Sequence, residues 1–243
     1  MTVTVDIPVP SRALSVGAHA DDIEFGAGAT LAKWAAAGCA LLHVVCTDGS
    51  KGTWDAGADL AQLVATRQDE QRAASRALGG TGDVEFLGWP DGELEEGYLP
   101  RRQLVAAIRS FRPDVVLGHD PWTRYRLHPD HRHAGFLTVD AVVGARDAHF
   151  FPELGLAHHR PSALLLFEAD EPDHVERVDG FGARKADALL AHRTQWQSTM
   201  QIEDAASPQQ VDAFRARVMA RLAEHGALAG AAEGEAFRAL TDL

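Results

Sequence analysis

Five short apolar runs, separated by helical patterns, constrain most strongly what this chain can fold into: Ala13 to Gly17, Ala40 to Thr47, Asp83 to Gly88, Asp114 to Gly118 and Ser162 to Glu168. A strand that is apolar at nearly every position must be covered on both faces, which is the condition of a parallel sheet. The intervals carry the coverings. Phe25, Leu31 and Trp34 recur at helical spacing; residues 59–78 form a long helical pattern closed by Gly79-Gly80; Pro100 to Phe111, a segment through Phe136, Leu137, Val139 and Val143, and Gly182 to His192 supply three more helices. This alternation predicts one α/β domain over residues 1–243: a Rossmann-like open, mostly parallel sheet with helices on both faces. A shorter strand is expected around His174 to Val178. The stretch Ser207 to Leu243, rich in Ala and Arg, reads as one or two helices covering the core or a neighbouring subunit, which leaves a homo-oligomer open.

The net charge of −12 argues against sequence-independent nucleic-acid binding, which depends on Lys and Arg neutralising phosphates. Met1 to Pro8 lacks the basic and apolar regions of a signal peptide, and no apolar run is long enough to span a bilayer, so a cytoplasmic protein without a membrane partner is expected. Cys39 and Cys46 read as buried reduced thiols. The loop Asp48 to Thr53 is Gly-rich but fails the spacing of a phosphate-binding loop.

In open parallel sheets ligands bind beyond the carboxyl ends of the strands, and that is where the metal site is expected. His19, Asp48, Asp91, His119 and Asp120 all follow predicted strand ends. At the first of these, His19 and Asp22 are three apart at a strand-to-helix turn and can converge on one cation, while Asp21 points elsewhere. An Asp here also suits a helix N-cap. A metal needs further ligands from another part of the chain. His128 and His131 offer them, with Pro129 as the first helical residue between them. His43, inside an apolar run, is expected to be a core residue, and His149, His158 and His159 to be solvated. Arg124 and Arg126, on the loop leading to His128, form either a positive rim for an anionic substrate or ion pairs with Asp120 or Asp130.

Four separated stretches then resemble one family, the PIG-L/LmbE-like zinc-dependent de-N-acetylases. Ala18-His19-Ala20-Asp21-Asp22 is similar to its His-Pro-Asp-Asp motif, with Ala in place of Pro. Thr66-Arg67 with Glu70 is similar to its Thr-Arg-x-x-Glu helix, His128-Pro129-Asp130-His131 to its second metal motif, and Lys185 through His192-Arg193-Thr194-Gln195 to its late His-x-Ser/Thr-Gln element. Position 126, where some members place Tyr, is Arg. The resemblance implies Zn2+, or another divalent ion such as Fe2+, held by His19, Asp22 and His131. It also implies Asp21 as general base and His128 as the group beside the developing oxyanion, oriented by Asp130 or Asp120. Arg67 and Asp91 match sugar-binding positions of the family, and Arg126 is the further candidate substrate contact. The implied activity is removal of an N-acetyl group from an N-acetylglucosamine-type sugar or conjugate. The alternatives are an amidase for another amide, such as a thiol conjugate, and a Rossmann-like binding module; against the latter, Gly17 to Asp22 lacks the glycines of a dinucleotide turn and presents two carboxylates instead.

Overall fold

Each of the five apolar runs forms a strand in the computed structural model, which describes residues 3–243. The order is β1 (Thr4–Val5), β2 (Arg12–Gly17), α1 (Asp22–Ala36), β3 (Ala40–Thr47), α2 (Leu60–Ala77), β4 (Val84–Trp89), α3 (Tyr98–Phe111), β5 (Val115–His119), α4 (Pro129–Arg146), β6 (Ala163–Phe167), β7 (His174–Arg177), α5 (Gly182–Leu190), α6 (Pro208–Ala227) and β8 (Gly234–Leu240). Together the strands make one eight-stranded sheet in the order β1-β7-β8-β6-β5-β2-β3-β4. All neighbours are parallel except β8, which runs antiparallel to both β6 and β7.

Alternation along the strands explains why helices lie on both faces. Leu14, Val16, Leu42, Val44 and Val116 point to the side packed by Leu104 and Ile108 of α3 and Leu137 of α4. Their neighbours Ala13, Leu41, Val45, Val115 and Leu117 point to the other side, against Ile23, Leu31 and Trp34 of α1, Leu78 after α2, and Ala188 of α5. A third cluster packs α5 against α6 through Leu189, Phe214, Val218 and Leu222. After β2 the chain builds outward through β3 and β4, then returns to place β5 on the other side of β2. The strand order therefore reverses between β2 and β5, and the crevice beyond their carboxyl ends is the place such a sheet offers a ligand.

The tail departs from expectation. It contains the helix α6 and then a strand, β8, which inserts between β6 and β7. Its sequence Gly-Glu-Ala-Phe-Arg-Ala-Leu has few β-formers and reads as helical by composition, but Phe237 is fully buried opposite Phe167 and His174. Tertiary pairing overrides weak local preference here. The edge strand β1 is likewise not legible in Thr4-Val5 alone. Among the described residues, no helix is long and apolar enough to cross a membrane.

If β8 is an integral part of the sheet, Phe237→Ala should cost about 3–5 kcal/mol of stability in urea unfolding, the usual scale for deleting a buried aromatic side chain. A loss below about 1 kcal/mol would show that the tail packs on an already complete core.

Candidate metal centre

β2 ends at Gly17, and the chain turns through four residues before α1 begins at Asp22. The turn is closed by the His19 backbone N–H, which donates to Asp22 Oδ2 at 2.7 Å. His19 and Asp22, three residues apart, are thereby brought side by side, and both are buried. From the other side comes α4. Pro129 is its first residue and His128 its N-cap, with Nδ1 accepting the Asp130 backbone N–H at 3.3 Å. One turn further on, His131 Nε2 reaches 3.3 Å from Asp22 Oδ1 and 3.3 Å from His19 Nδ1, while His19 Nδ1 lies 3.5 Å from Asp22 Oδ2. Donors about 2.0–2.1 Å from a tetrahedral zinc are spaced about 3.3–3.4 Å from one another, so this trio fits three corners of such a site and leaves a fourth open.

The opposite edge of the His19 ring faces two carboxylates. Nε2 lies 3.1 Å from Asp130 Oδ2 and 3.2 Å from Asp91 Oδ1, two acceptors that hold a proton on Nε2 and leave Nδ1 as the edge that faces Asp22 and His131. Asp130, fully buried, is itself held by the Gly92 and Leu94 backbone N–H groups. Burial alone would make His19 harder to protonate, but the bonds to Asp130, Asp22 and Asp91 outweigh it and raise its pKa well above the usual value. Burial would likewise raise Asp22; the His131 and His119 rings instead hold it well below the ordinary carboxylate range.

The remaining residues line a single cleft of about 540 Å³ around this trio, including Asp21, Arg67, Asp91 and His128. Asp21 is the N-cap residue of α1 by position, yet its carboxylate makes no cap hydrogen bond and its backbone has φ 103°. Burial, then the neighbouring Asp22 charge, push its pKa up to about 7. His128 is pulled the other way, first by burial and then by His19 and His131, so its ring is neutral at neutral pH. With Nδ1 accepting from α4, the proton of this neutral ring is on Nε2, available for donation. The Asp130 backbone N–H, rather than an Asp130 or Asp120 carboxylate, is the partner that orients it. Asp120 instead accepts from the Trp122 backbone.

Arg126 is not on the cleft surface. Its guanidinium pairs with the Glu168 carboxylate and lies 3.2 Å from His131 Nδ1. The ion pair is thus made neither with Asp120 nor with Asp130, and Arg126 offers no free positive rim. His119 stands where its position past a strand end placed it, but its contacts were not legible in the sequence. It ends β5, is 1% exposed, stacks on His131 at 4.5 Å, and puts Nε2 3.2 Å from Asp22 Oδ2 and Nδ1 3.2 Å from Glu168 Oε2. With Asp22 and His131 it forms a second His/Asp grouping able to hold a metal. The one signal was its position at a strand end beside the switch point. His43 is fully buried, as a core residue should be. His149 and His158 are exposed, whereas His159 is half-buried and bonded to the Pro113 carbonyl.

A family model described as PIG-L, GlcNAc-PI de-N-acetylase, matches residues 14–142, just over half of the chain. The chain belongs to the PIG-L family. The matched segment runs from β2 to α4 and so contains the whole His/Asp centre. The PIG-L relatives include a diacetylchitobiose deacetylase of Thermococcus kodakarensis, 32% identical over 76% of this chain and 70% of that protein. A 1D-myo-inositol 2-acetamido-2-deoxy-alpha-D-glucopyranoside deacetylase of Streptomyces avermitilis is 36% identical over 78% of this chain and 84% of its own length. Among solved structures, the N,N'-diacetylchitobiose deacetylase from Pyrococcus horikoshii superposes with a TM-score of 0.84 at 27% identity, covering 96% of this chain and 84% of that one.

His19 also belongs to a grouping with Asp91, His128 and Asp130 that could hold an ion on the Nε2 side of its ring, which makes the ligand assignment testable. His19→Ala, Asp22→Ala and His131→Ala should each lose a stoichiometric divalent ion by elemental analysis, whereas Asp130→Asn, which weakens the support of His19 without removing one of the trio, should weaken affinity about 10- to 100-fold in a chelator competition. Full occupancy in the three ligand variants would show that the ion binds elsewhere.

Proposed function

We propose that the protein is a zinc-dependent de-N-acetylase that hydrolyses the acetamide of an N-acetylglucosamine-type sugar or conjugate. The observation that carries this reading is the open trio of His19 Nδ1, Asp22 and His131 Nε2 with Asp21 and His128 on the same cleft. The relatives named as sugar deacetylases support the substrate class. Zinc suits two imidazoles and one carboxylate, and when bound it lowers the pKa of water toward about 7 and polarises an amide oxygen.

The chain's own residues supply the remaining chemistry. Asp21, whose carboxylate is poised near neutrality, takes the proton of the attacking water, and the same proton then serves the departing nitrogen as the C–N bond breaks. His128 donates its Nε2–H to the amide oxygen as negative charge develops there; a neutral imidazole is a competent donor and does not compete for cation charge. Asp130 and Asp91 hold the His19 ring. The products are acetate and a free amine. For substrate choice, the cleft presents Asp21, Asp22, Asp91 and Glu168 against Lys51 and Arg67, with Lys51 already paired to Glu93 and Arg126 to Glu168. That lining suits a neutral N-acetyl sugar better than a phosphorylated one.

Acetate release by the zinc-loaded protein should be measured on N-acetylglucosamine, N,N'-diacetylchitobiose, N-acetylglucosamine phosphate and a thiol-conjugated amide. A neutral N-acetyl sugar should be the best of these, and Asp21→Asn and His128→Ala should each keep the metal yet lose about 10²-fold or more in kcat. Hydrolysis of the thiol conjugate alone would move the assignment to an amidase; a variant at wild-type rate would remove that residue from the chemistry.

A further inference from the structure

Asp21 has a backbone φ of 103°, a region that few residues other than glycine occupy, and its carboxylate makes no cap hydrogen bond that would hold it there. What holds it is α2. The Arg67 guanidinium donates from Nη2 to the Ala20 carbonyl at 2.9 Å, and Gln71 Oε1 accepts the Asp21 backbone N–H at 3.1 Å. Ala20 C=O and Asp21 N–H are the two ends of one peptide unit. Arg67 and Gln71 are four residues apart on a helix, hence on one face, and both are buried. We infer that Arg67 and Gln71 are positioning residues that grip the Ala20–Asp21 peptide from both ends and so aim the Asp21 carboxylate into the cleft.

Two further features are accounted for by this clamp. The first is the Gly-rich loop after β3, which has no phosphate-binding spacing. Its Gly49 carbonyl accepts from Arg67 Nη1 at 2.9 Å, and a Cβ at Gly52 would stand 1.9 Å from that same nitrogen. Because the guanidinium is pinned by two backbone carbonyls it cannot swing aside, so the loop closes over it only with glycine there. The second is Glu24, fully buried, whose Oε1 accepts from Gln71 Nε2 at 2.7 Å and whose Oε2 lies 3.3 Å from His192 Nε2. Glu24 fixes which end of the Gln71 amide faces Asp21: the nitrogen turns to the carboxylate, leaving the oxygen for the Asp21 N–H. His192, from the segment after α5, faces the other oxygen of Glu24.

The clamp differs in its consequences from direct substrate binding by Arg67. A residue that only binds sugar changes KM; a residue that aims the base changes kcat, and misplacing a reacting group by about 1 Å costs on the order of 10²-fold. The inference rests on the role of Asp21 proposed above, so its test carries one readout independent of turnover.

Gln71→Met and Arg67→Met, singly and together, should be compared with the zinc-loaded wild type for kcat, KM, metal content and the crystallographic φ of Asp21. Each single variant should lose about 10- to 100-fold in kcat with KM within about twofold and metal content unchanged. The double variant should lose little more than the worse single one, because both act on one peptide. In Gln71→Met the Asp21 φ should leave the positive region. Arg67→Lys, a milder change should the methionine variants not fold, keeps the charge but lacks the fork that spans Gly49 and Ala20, and should show the same loss confined to kcat. A raised KM with kcat retained, loss of metal, multiplicative losses in the double variant, wild-type kcat in Arg67→Lys, or a positive Asp21 φ in Gln71→Met would each overturn the clamp. If the wild type itself hydrolyses no N-acetyl sugar, the proposed activity fails separately, and the Asp21 φ still decides the clamp.

Discussion

Buried carboxylates of like charge repel one another and resist leaving water, so a fold that gathers Asp21, Asp22, Asp91 and Asp130 at one crevice must provide opposing charge or donors. Much of the structure around the β2–β5 reversal serves that requirement. Asp130 and Asp91 are met by backbone N–H groups and by the His19 ring; Asp22 is met by the His19 backbone and by two imidazoles. Asp21 is the least compensated of the four, with its pKa pushed up to about 7, and it is the one the proposed chemistry uses as a base. Three donor groups converging at 3.3 to 3.5 Å complete the balance in the direction of a divalent cation.

The elements that meet this requirement come from widely separated parts of the chain. The turn after β2 supplies His19, Asp21 and Asp22; α2 supplies the clamp; the loop after β4 supplies Asp91; the end of β5 and the start of α4 supply His119, His128, Asp130 and His131. The C-terminal part participates as well. Glu235 of β8 accepts the Ala29 and Thr30 backbone N–H groups just after a break in α1 at Ala27, and Lys185 of α5 joins the Glu235 carboxylate to the Phe25 carbonyl. The first turn of α1, which carries Asp22, is thus braced from a strand beyond the segment that the family model matches.

What was legible in the sequence follows from what is local. Nearly continuous apolar runs announce parallel strands because both faces must be covered, and the side-by-side placement of His19 and Asp22, or of His128 and His131, follows from spacing at a strand end or a helix start. Pairings set by sheet register were not legible. Nothing near Arg126 shows that Glu168, brought to it by the β5–β6 ladder, takes up its charge, nor that the same carboxylate meets His119. The reach of Arg67 across to Ala20 depends on a left-handed residue that spacing does not reveal. β8 was hidden by its composition, since Ala, Glu and Arg favour helices until Phe237 finds a buried place in the sheet.

The most direct measurement is an anomalous-diffraction map of zinc-loaded crystals, because His19 presents one ring nitrogen to each of two donor sets. The peak should lie about 2.0–2.2 Å from His19 Nδ1, an Asp22 carboxylate oxygen and His131 Nε2. A peak on the other edge of the ring, between His19 Nε2, Asp91, His128 and Asp130, would contradict the assignment, since it would occupy both the support of His19 and the donor proposed for the amide oxygen.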